Sequence, residues 1–414
     1  MIMFFRNGPE YEIRAKTPFI PPTVSLKEIH DAVPKYLLTK SWKKSTFYVM
    51  RDAIFALVLY RFAYSITPWA DSNFGGYVQN HWVKIGIKAW MWTLYWWFQS
   101  LVGAGMFCLG HDAGHGSLFE NRRLNDVIGF LMHTKATGSI ERDENYVPYT
   151  RKQFKLPSEK MAKRRDYEEI FGETPIYTLG GLLIMQFFGW WLYLSQNAMG
   201  SRMYPPGTNH FNPYSALFKK EHRHLILMSD IGIASMFLIL YCLGREFFLW
   251  CYFIPYLLVN HWIVMLTFLQ HSDPTIPHYR KGAWTFIRGA AATVDRPLLG
   301  WMGRFFLHNV GHDHVAHHFF LRAPFYNGPE ITKVLKNVLK EHYNFDSTPS
   351  FYALYRSFNE CRFVEDEGDI VFYKNRHGLA VREVDESVVK TVKDSEWTIR
   401  SERDAVSEDE VLKS

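Results

Sequence analysis

Cysteine is scarce: four residues in 414, at Cys108, Cys242, Cys251 and Cys361. None forms a CxxC and three lie in or beside apolar runs, so they read as reduced packing thiols and exclude a disulfide or zinc-thiolate framework. The N-terminus lacks a basic stretch leading into an apolar core and a small-residue cleavage site, which argues against a cleaved secretory signal. There is no glycine-rich dinucleotide loop, no attached electron-transfer module and no internal repeat. No basic cluster with interleaved aromatics occurs either, so nucleic acid is not an expected partner. Residues 67–83 contain no lysine or arginine, and no histidine lies between His133 and His210.

Apolar and aromatic residues are plentiful by contrast. The chain is 48% hydrophobic and 17% aromatic, with 14 Trp, 23 Tyr and 33 Phe. Trp and Tyr favour the membrane–water boundary, where one face of the ring meets lipid and the other the headgroups. A mean hydropathy of -0.16 fits a few spans carrying large polar segments. The formal charge of +6 suits contact with an anionic cytoplasmic leaflet.

Four stretches reach the roughly 20 residues a membrane helix needs: 48–68, 86–110, 225–243 and 247–269. Arg51 and Asp52 sit at the edge of the first, where long side chains reach the interface, and Asp230 lies near the start of the third. Residues 111–175 carry eleven lysines and arginines, against none in 67–83. The positive-inside rule therefore places the former in the cytoplasm and the latter in the lumen. If the histidine clusters at either end both face the cytoplasm, an even number of crossings separates them. Three apolar stretches intervene, so 176–194, with Gly180, Gly181, Trp190 and Trp191, is expected to lie at the interface. The expected fold class is all-α, an integral membrane protein with about four spans, at least one interfacial helix and a cytoplasmic histidine-bearing cap. Its parts are a cytoplasmic segment 1–45, a membrane-and-cap domain 46–380, and a charged disordered tail 381–414.

The chemistry lies in the histidines. His111 and His115 are four apart at the cytoplasmic end of the second span, and residues at that spacing share a helix face. His314, His317 and His318 are spaced to project from one helical side, and His271 follows the fourth span directly. Neutral imidazole binds borderline metals such as iron, zinc and copper. A lone HxxxH is weak, since most interfacial histidines are ordinary hydrogen-bonded surface residues. HxxHH says more, because three imidazoles on one face repel when protonated and need a reason to be together. A metal-ion transporter is the reading against which placement tells: its histidines would line the membrane interior. His133, His210, His222, His224, His261, His278 and His312 lack such placement and read as structural, while His308 and His312 are candidates for orienting the ligands.

Several segments together carry a family resemblance. They are Gly110-His-Asp-Ala-Gly-His-Gly-Ser117, Asn125-Asp-Val-Ile-Gly-Phe130, Thr137-Gly-Ser-Ile-Glu-Arg-Asp143 with Val147-Pro148, Leu269-Gln-His271, Thr293-Val-Asp-Arg296, and His308-Asn309 followed by His314-Val-Ala-His-His318. From about Pro18 to Gly378 the chain resembles the membrane-bound fatty acid desaturases, specifically the microsomal oleate Δ12 group and its Δ15 relatives. The Asp-Ala-Gly-His form of the first box and Cys361-Arg-Phe-Val-Glu-Asp-Glu-Gly-Asp369 look like the fungal branch.

The resemblance implies a non-haem site of two irons in an all-histidine shell, which uses dioxygen to insert a cis double bond into an acyl lipid, as in oleoyl to linoleoyl. It implies electrons from cytochrome b5 and its NADH-dependent reductase, and an endoplasmic reticulum membrane with the histidines facing the cytosol. His111 and His115 match the first histidine box, His314, His317 and His318 the third, and His271 the additional histidine. The second box does not carry over. Thr134 is followed at once by Lys135-Ala-Thr-Gly138, where the family has an apolar-aromatic stretch ending in HxxHH. Both flanks keep the family register, as after a clean in-frame excision by splicing or by the gene model. The alternative reading is a catalytically silent protein of the same fold, such as a partner in a homo- or heterodimer with an intact desaturase.

Overall fold

The computed structural model describes residues 5–132, 144–172 and 174–388; the junction at Thr134–Lys135, His133 and most of the expected tail lie outside these. The all-α expectation holds: 62% of the described residues are helix and 3% strand. The principal helices are α1 (Trp42–Asp71), α2 (His81–Gly114), α3 (Arg122–Met132), α4 (Pro175–Gln196), α5 (Arg223–Leu243), α6 (Ile254–His271), α7 (His314–Phe319), α8 (Gly328–Leu339) and α9 (Ser350–Glu360).

Local sequence sets the breaks between them. A polar turn reverses α1 into α2, with Asn73, Phe74, Gly75 and Gly76 all at positive φ. Asn80 then caps α2, its Oδ1 accepting from the N–H groups of Trp82 and Val83 at 2.9 and 3.2 Å. Gly244, at φ 89°, makes the tight reversal after α5. The chain re-enters through a π-helical turn, Phe247–Phe253, that leads into α6. Such a turn shifts carbonyls off the regular ladder. Two of them are taken up by α2: Tyr95 Oη donates to Cys251 O at 2.8 Å and Trp96 Nε1 to Trp250 O at 3.0 Å.

Among the described residues, four helical stretches are long and apolar enough to cross a membrane: α1, α4, 220–243 and 247–271. The expected span at 86–110 falls within α2, which at 34 residues is longer than any of these and packs between α1 and α6. The number of such helices matches the expectation and the membership differs. The stretch 176–194, expected at the interface, also has the length and composition of a span. As α4 it runs antiparallel along α6: Phe187 stacks on His261, and Trp191 Nε1 donates to Tyr256 Oη at 3.3 Å. Gly189 lets Val264 approach to 3.5 Å of where a Cβ would stand, and small residues permit such close helix contact in lipid. α5 meets the bundle chiefly at its far end, where Tyr252 Oη lies 3.2 Å from Met236 Sδ. Large apolar side chains such as Leu57, Trp90, Ile184 and Leu238 stay exposed, as lipid-facing surfaces require.

One core joins α2, α4, α6 and α9 around Leu101, Ala104, Trp262, Met265 and Ala353. A second lies in the cap, where Val315 and Phe319 of α7 meet Leu335 of α8. Ile29, Val33 and Leu37 from the N-terminal segment belong to that second core, so the boundary expected at residue 45 is not a packing boundary. Residues 381–388 of the expected tail are described and make contacts. Val384 bridges Phe19, and Val388 is buried.

Candidate metal centre

Three separate stretches deliver imidazoles to one place. His111 lies in the last turn of α2, and His115 caps that helix. His271 ends α6, and α7 supplies His314, His317 and His318. α7 is only six residues long and is held by its surroundings: Asp295 Oδ1 accepts from the Val315 N–H at 2.8 Å, a carboxylate at a helix N-terminus.

The six imidazoles sort into two groups of three. His111, His115 and His317 bring their donor atoms within 4.8 Å of one another, and so do His271, His314 and His318. In the first group, His111 Nε2 is 3.1 Å from His115 Nε2 and 3.4 Å from His317 Nε2. In the second, His314 Nε2 is 3.2 Å from His271 Nε2 and 3.1 Å from His318 Nε2. Two imidazole nitrogens each about 2.1 Å from one ion, at roughly 90–110°, stand about 3.0–3.4 Å apart. The spacing is that of ligands sharing an ion. The groups adjoin through His314 and His317, whose rings lie 5.9 Å apart.

Sequence spacing alone put the three α7 histidines on one side. The structure divides them, His314 and His318 to one group and His317 to the other. Burial keeps them in the neutral, ligating form. Desolvation lowers His115 to about 4 and His318 to about 3, and holds His314 and His317 well below the usual imidazole value. All-nitrogen donors that converge and stay neutral fit one iron-type ion per group. Three protein donors each leave the remaining coordination positions open.

A buried ionic frame fixes the second group. Arg296 Nε donates to Leu269 O at 3.0 Å, while its Nη atoms bind Asp273 at 2.5 Å and Asp346. Arg356 closes the frame on Asp346 at 2.7 Å. Gln270 Nε2 donates to Gly311 O at 3.1 Å, tying the end of α6 to the loop before α7. Nothing in the sequence marked Asp273 or Asp346 for this role, because their partners lie far along the chain.

The remaining described histidines stay out of both groups. His210 packs on Tyr193, His261 lies between Phe187 and Phe351, and His278 sits edge-on to Tyr373 in a two-residue strand. His222 and His224 lie at the start of α5. His308, a candidate for orienting a ligand, pairs instead with the buried Asp52. His312 bonds to backbone at Gly300.

The comparisons agree with this geometry. The fatty acid desaturase family model matches residues 89–349. A Delta(12) fatty acid desaturase of Mortierella isabellina is 37% identical, covering 85% of this chain and 91% of its own length. Its counterpart in Mortierella alpina is 36% identical over the same shares. An oleate hydroxylase of Claviceps purpurea is 32% identical over 88% of this chain and 84% of its own. The first alignment has 384 positions, yet 85% of this chain is about 352 residues, so about 32 positions find no residue here. The chain belongs to the fatty acid desaturases, in the membrane-bound oleate Δ12 group.

Proposed function

We propose that this chain is an acyl-lipid Δ12 desaturase by construction, built to convert oleoyl to linoleoyl chains, and that this polypeptide is impaired by the loss of the second histidine box. One observation carries the reading: imidazoles from three distant stretches converge as two adjacent groups of three. His111, His115 and His317 would hold one iron, and His271, His314 and His318 the other. Iron bound there would supply the power to activate dioxygen against an unactivated C–H bond.

The chain's own residues do the rest. The Arg296 frame holds His271 in register with α7. The groups sit where α2 and α6 end, so an acyl chain can reach them from the bilayer while electrons arrive from the aqueous side. The source of electrons in this reading is cytochrome b5 with its NADH-dependent reductase, at the cytosolic face of the endoplasmic reticulum. An even number of crossings between the histidine clusters is met if α5 and α6 cross and α4 does not.

Six nitrogens for two ions leave each short of donors, and the absent segment would also have braced the site. The expected result is fewer than two irons per molecule and little or no linoleate when the chain is expressed in a host that lacks it. Substantial dienoic product by gas chromatography of host lipids would refute the impairment. Insertion of a family-type HxxHH segment between Thr134 and Lys135 is expected to restore product. If the repaired chain binds two irons and still makes none, the reading as an acyl desaturase fails. The second reading, a silent partner of an intact desaturase, has the shortened ligand set in its favour and predicts co-purification with that enzyme.

A further inference from the structure

Asp52 and His308 form a buried pair that neither histidine group uses. Asp52 Oδ2 lies 2.6 Å from His308 Nε2, with the residues 2% and 1% exposed. Arg51 binds the other carboxylate oxygen at 2.7 Å and lies over the Tyr48 and Phe305 rings. Gly105 of α2 makes the room: a Cβ there would stand 3.3 Å from both Asp52 Oδ2 and His308 Nε2, and 2.1 Å from Phe306 O. His308 and Asn309 both take left-handed backbone, at φ 52° and 65°, a conformation that costs non-glycine residues energy. Apolar side chains would fill this space without such costs.

The orientation of the pair suggests its use. A carboxylate only accepts, so Nε2 carries the hydrogen and Nδ1 is left with a lone pair. Burial, the largest effect on this ring, favours its neutral form. Nδ1 is itself buried and has no hydrogen-bond partner among the described residues. The His308 ring walls a cavity of about 50 Å³ together with His111, His314, His317, Asp112 and Asp313. A water needs roughly 10–15 Å³ on this scale, so the cavity takes a few.

We propose that His308, set by Asp52, is the hydrogen-bond acceptor for water held at the open coordination positions of the two histidine groups. This rests on reading those groups as metal sites. Proteins use carboxylate–imidazole pairs to aim a ring at a metal; here the ring stands one water further out. Water on a metal is acidic and donates strongly. A neutral Nδ1 stabilises it and can take its proton, while Asp52 stabilises the imidazolium that results. The groups facing this ring are Asp52 and Tyr48 of α1, with Arg51 behind the carboxylate, and Phe325 before α8. α2 contributes Gly105 beside the ring and Asp112 across the cavity.

The test uses the purified full chain with Co²⁺ alone, titrated against a competing chelator and followed by visible absorption across pH. His308→Ala is expected to weaken binding by about 10- to 100-fold and to move the pH midpoint of the bound-Co²⁺ spectrum upward. Asp52→Asn is expected to shift both in the same direction by less, and it carries the test if circular dichroism shows His308→Ala unfolded. His111→Ala should remove a full binding site. Unchanged affinity and midpoint in His308→Ala and Asp52→Asn, with binding lost in His111→Ala, overturns the proposal and leaves the metal sites standing. A fall in thermal stability with an unmoved spectral midpoint also overturns it, since a structural prop would do that. If the unaltered chain binds no Co²⁺, the metal reading fails and this inference with it.

Discussion

At the scale of single residues, the division of α7 between the two groups makes a sharp expectation. His317→Ala should cost the ion held with His111 and His115, and His318→Ala the ion held with His271. Each variant is expected to lower the metal content read by elemental analysis without abolishing it. Acid sensitivity follows from the same imidazoles. An unfolded histidine titrates near 6.5, whereas in the folded chain burial holds His115 at about 4 and His318 at about 3. Between these values the unfolded state binds more protons, so stability falls as the pH drops below about 6.5 and levels off below the folded values. Each group should remove roughly 2 kcal/mol between pH 7 and 5, seen as a falling thermal midpoint of the metal-free chain. Gly105→Ala should be costly too. Its methyl would meet Phe306 O at 2.1 Å, and forced overpacking of this kind costs about 3 kcal/mol, measurable by denaturant unfolding in detergent.

At the scale of elements, much of the outline was legible. The apolar run at 48–68 became α1, and 86–110 became the interior of α2. HxxxH and HxxHH said which residues gather. What periodicity cannot show is what covers a helix. α4 is apolar on most of its circumference, and its glycines read equally as a lipid-facing surface or as a seat for α6. The choice was made by Val264 and Phe358, residues remote in sequence that pack against Gly189 and Gly181. The Asp52–His308 pair escaped for the same reason, being 256 positions apart. The π-helical turn before α6 offers a test of element-level accounting. Tyr95→Phe strands the Cys251 carbonyl and should cost about 1 kcal/mol. Arg296→Ala leaves two buried carboxylates, Asp273 and Asp346, to share Arg356 alone and should cost about 3–5 kcal/mol, enough to unfold the cap in a proteolysis assay.

At the scale of the whole molecule, membrane bundle and cap form one packed unit. Arg14, near the N-terminus, donates to Thr275 at 3.0 Å in the cap, and Asp385, near the end of the described chain, donates its N–H to Phe19 O at 2.9 Å. Both chain ends thus reinforce the region that carries the histidines. Removal of residues 1–38 should expose the apolar cluster of Val315, Phe319 and Leu335 and drive aggregation, visible by size exclusion.

Because a rod of only six residues feeds both ligand groups, the two ions cannot be indifferent to each other. Whichever arrives first immobilises that rod, and the second finds its own nitrogens already at rest. Loading should then be cooperative, with a midpoint steeper than two independent sites allow, and a singly filled species should be scarce in native mass spectra.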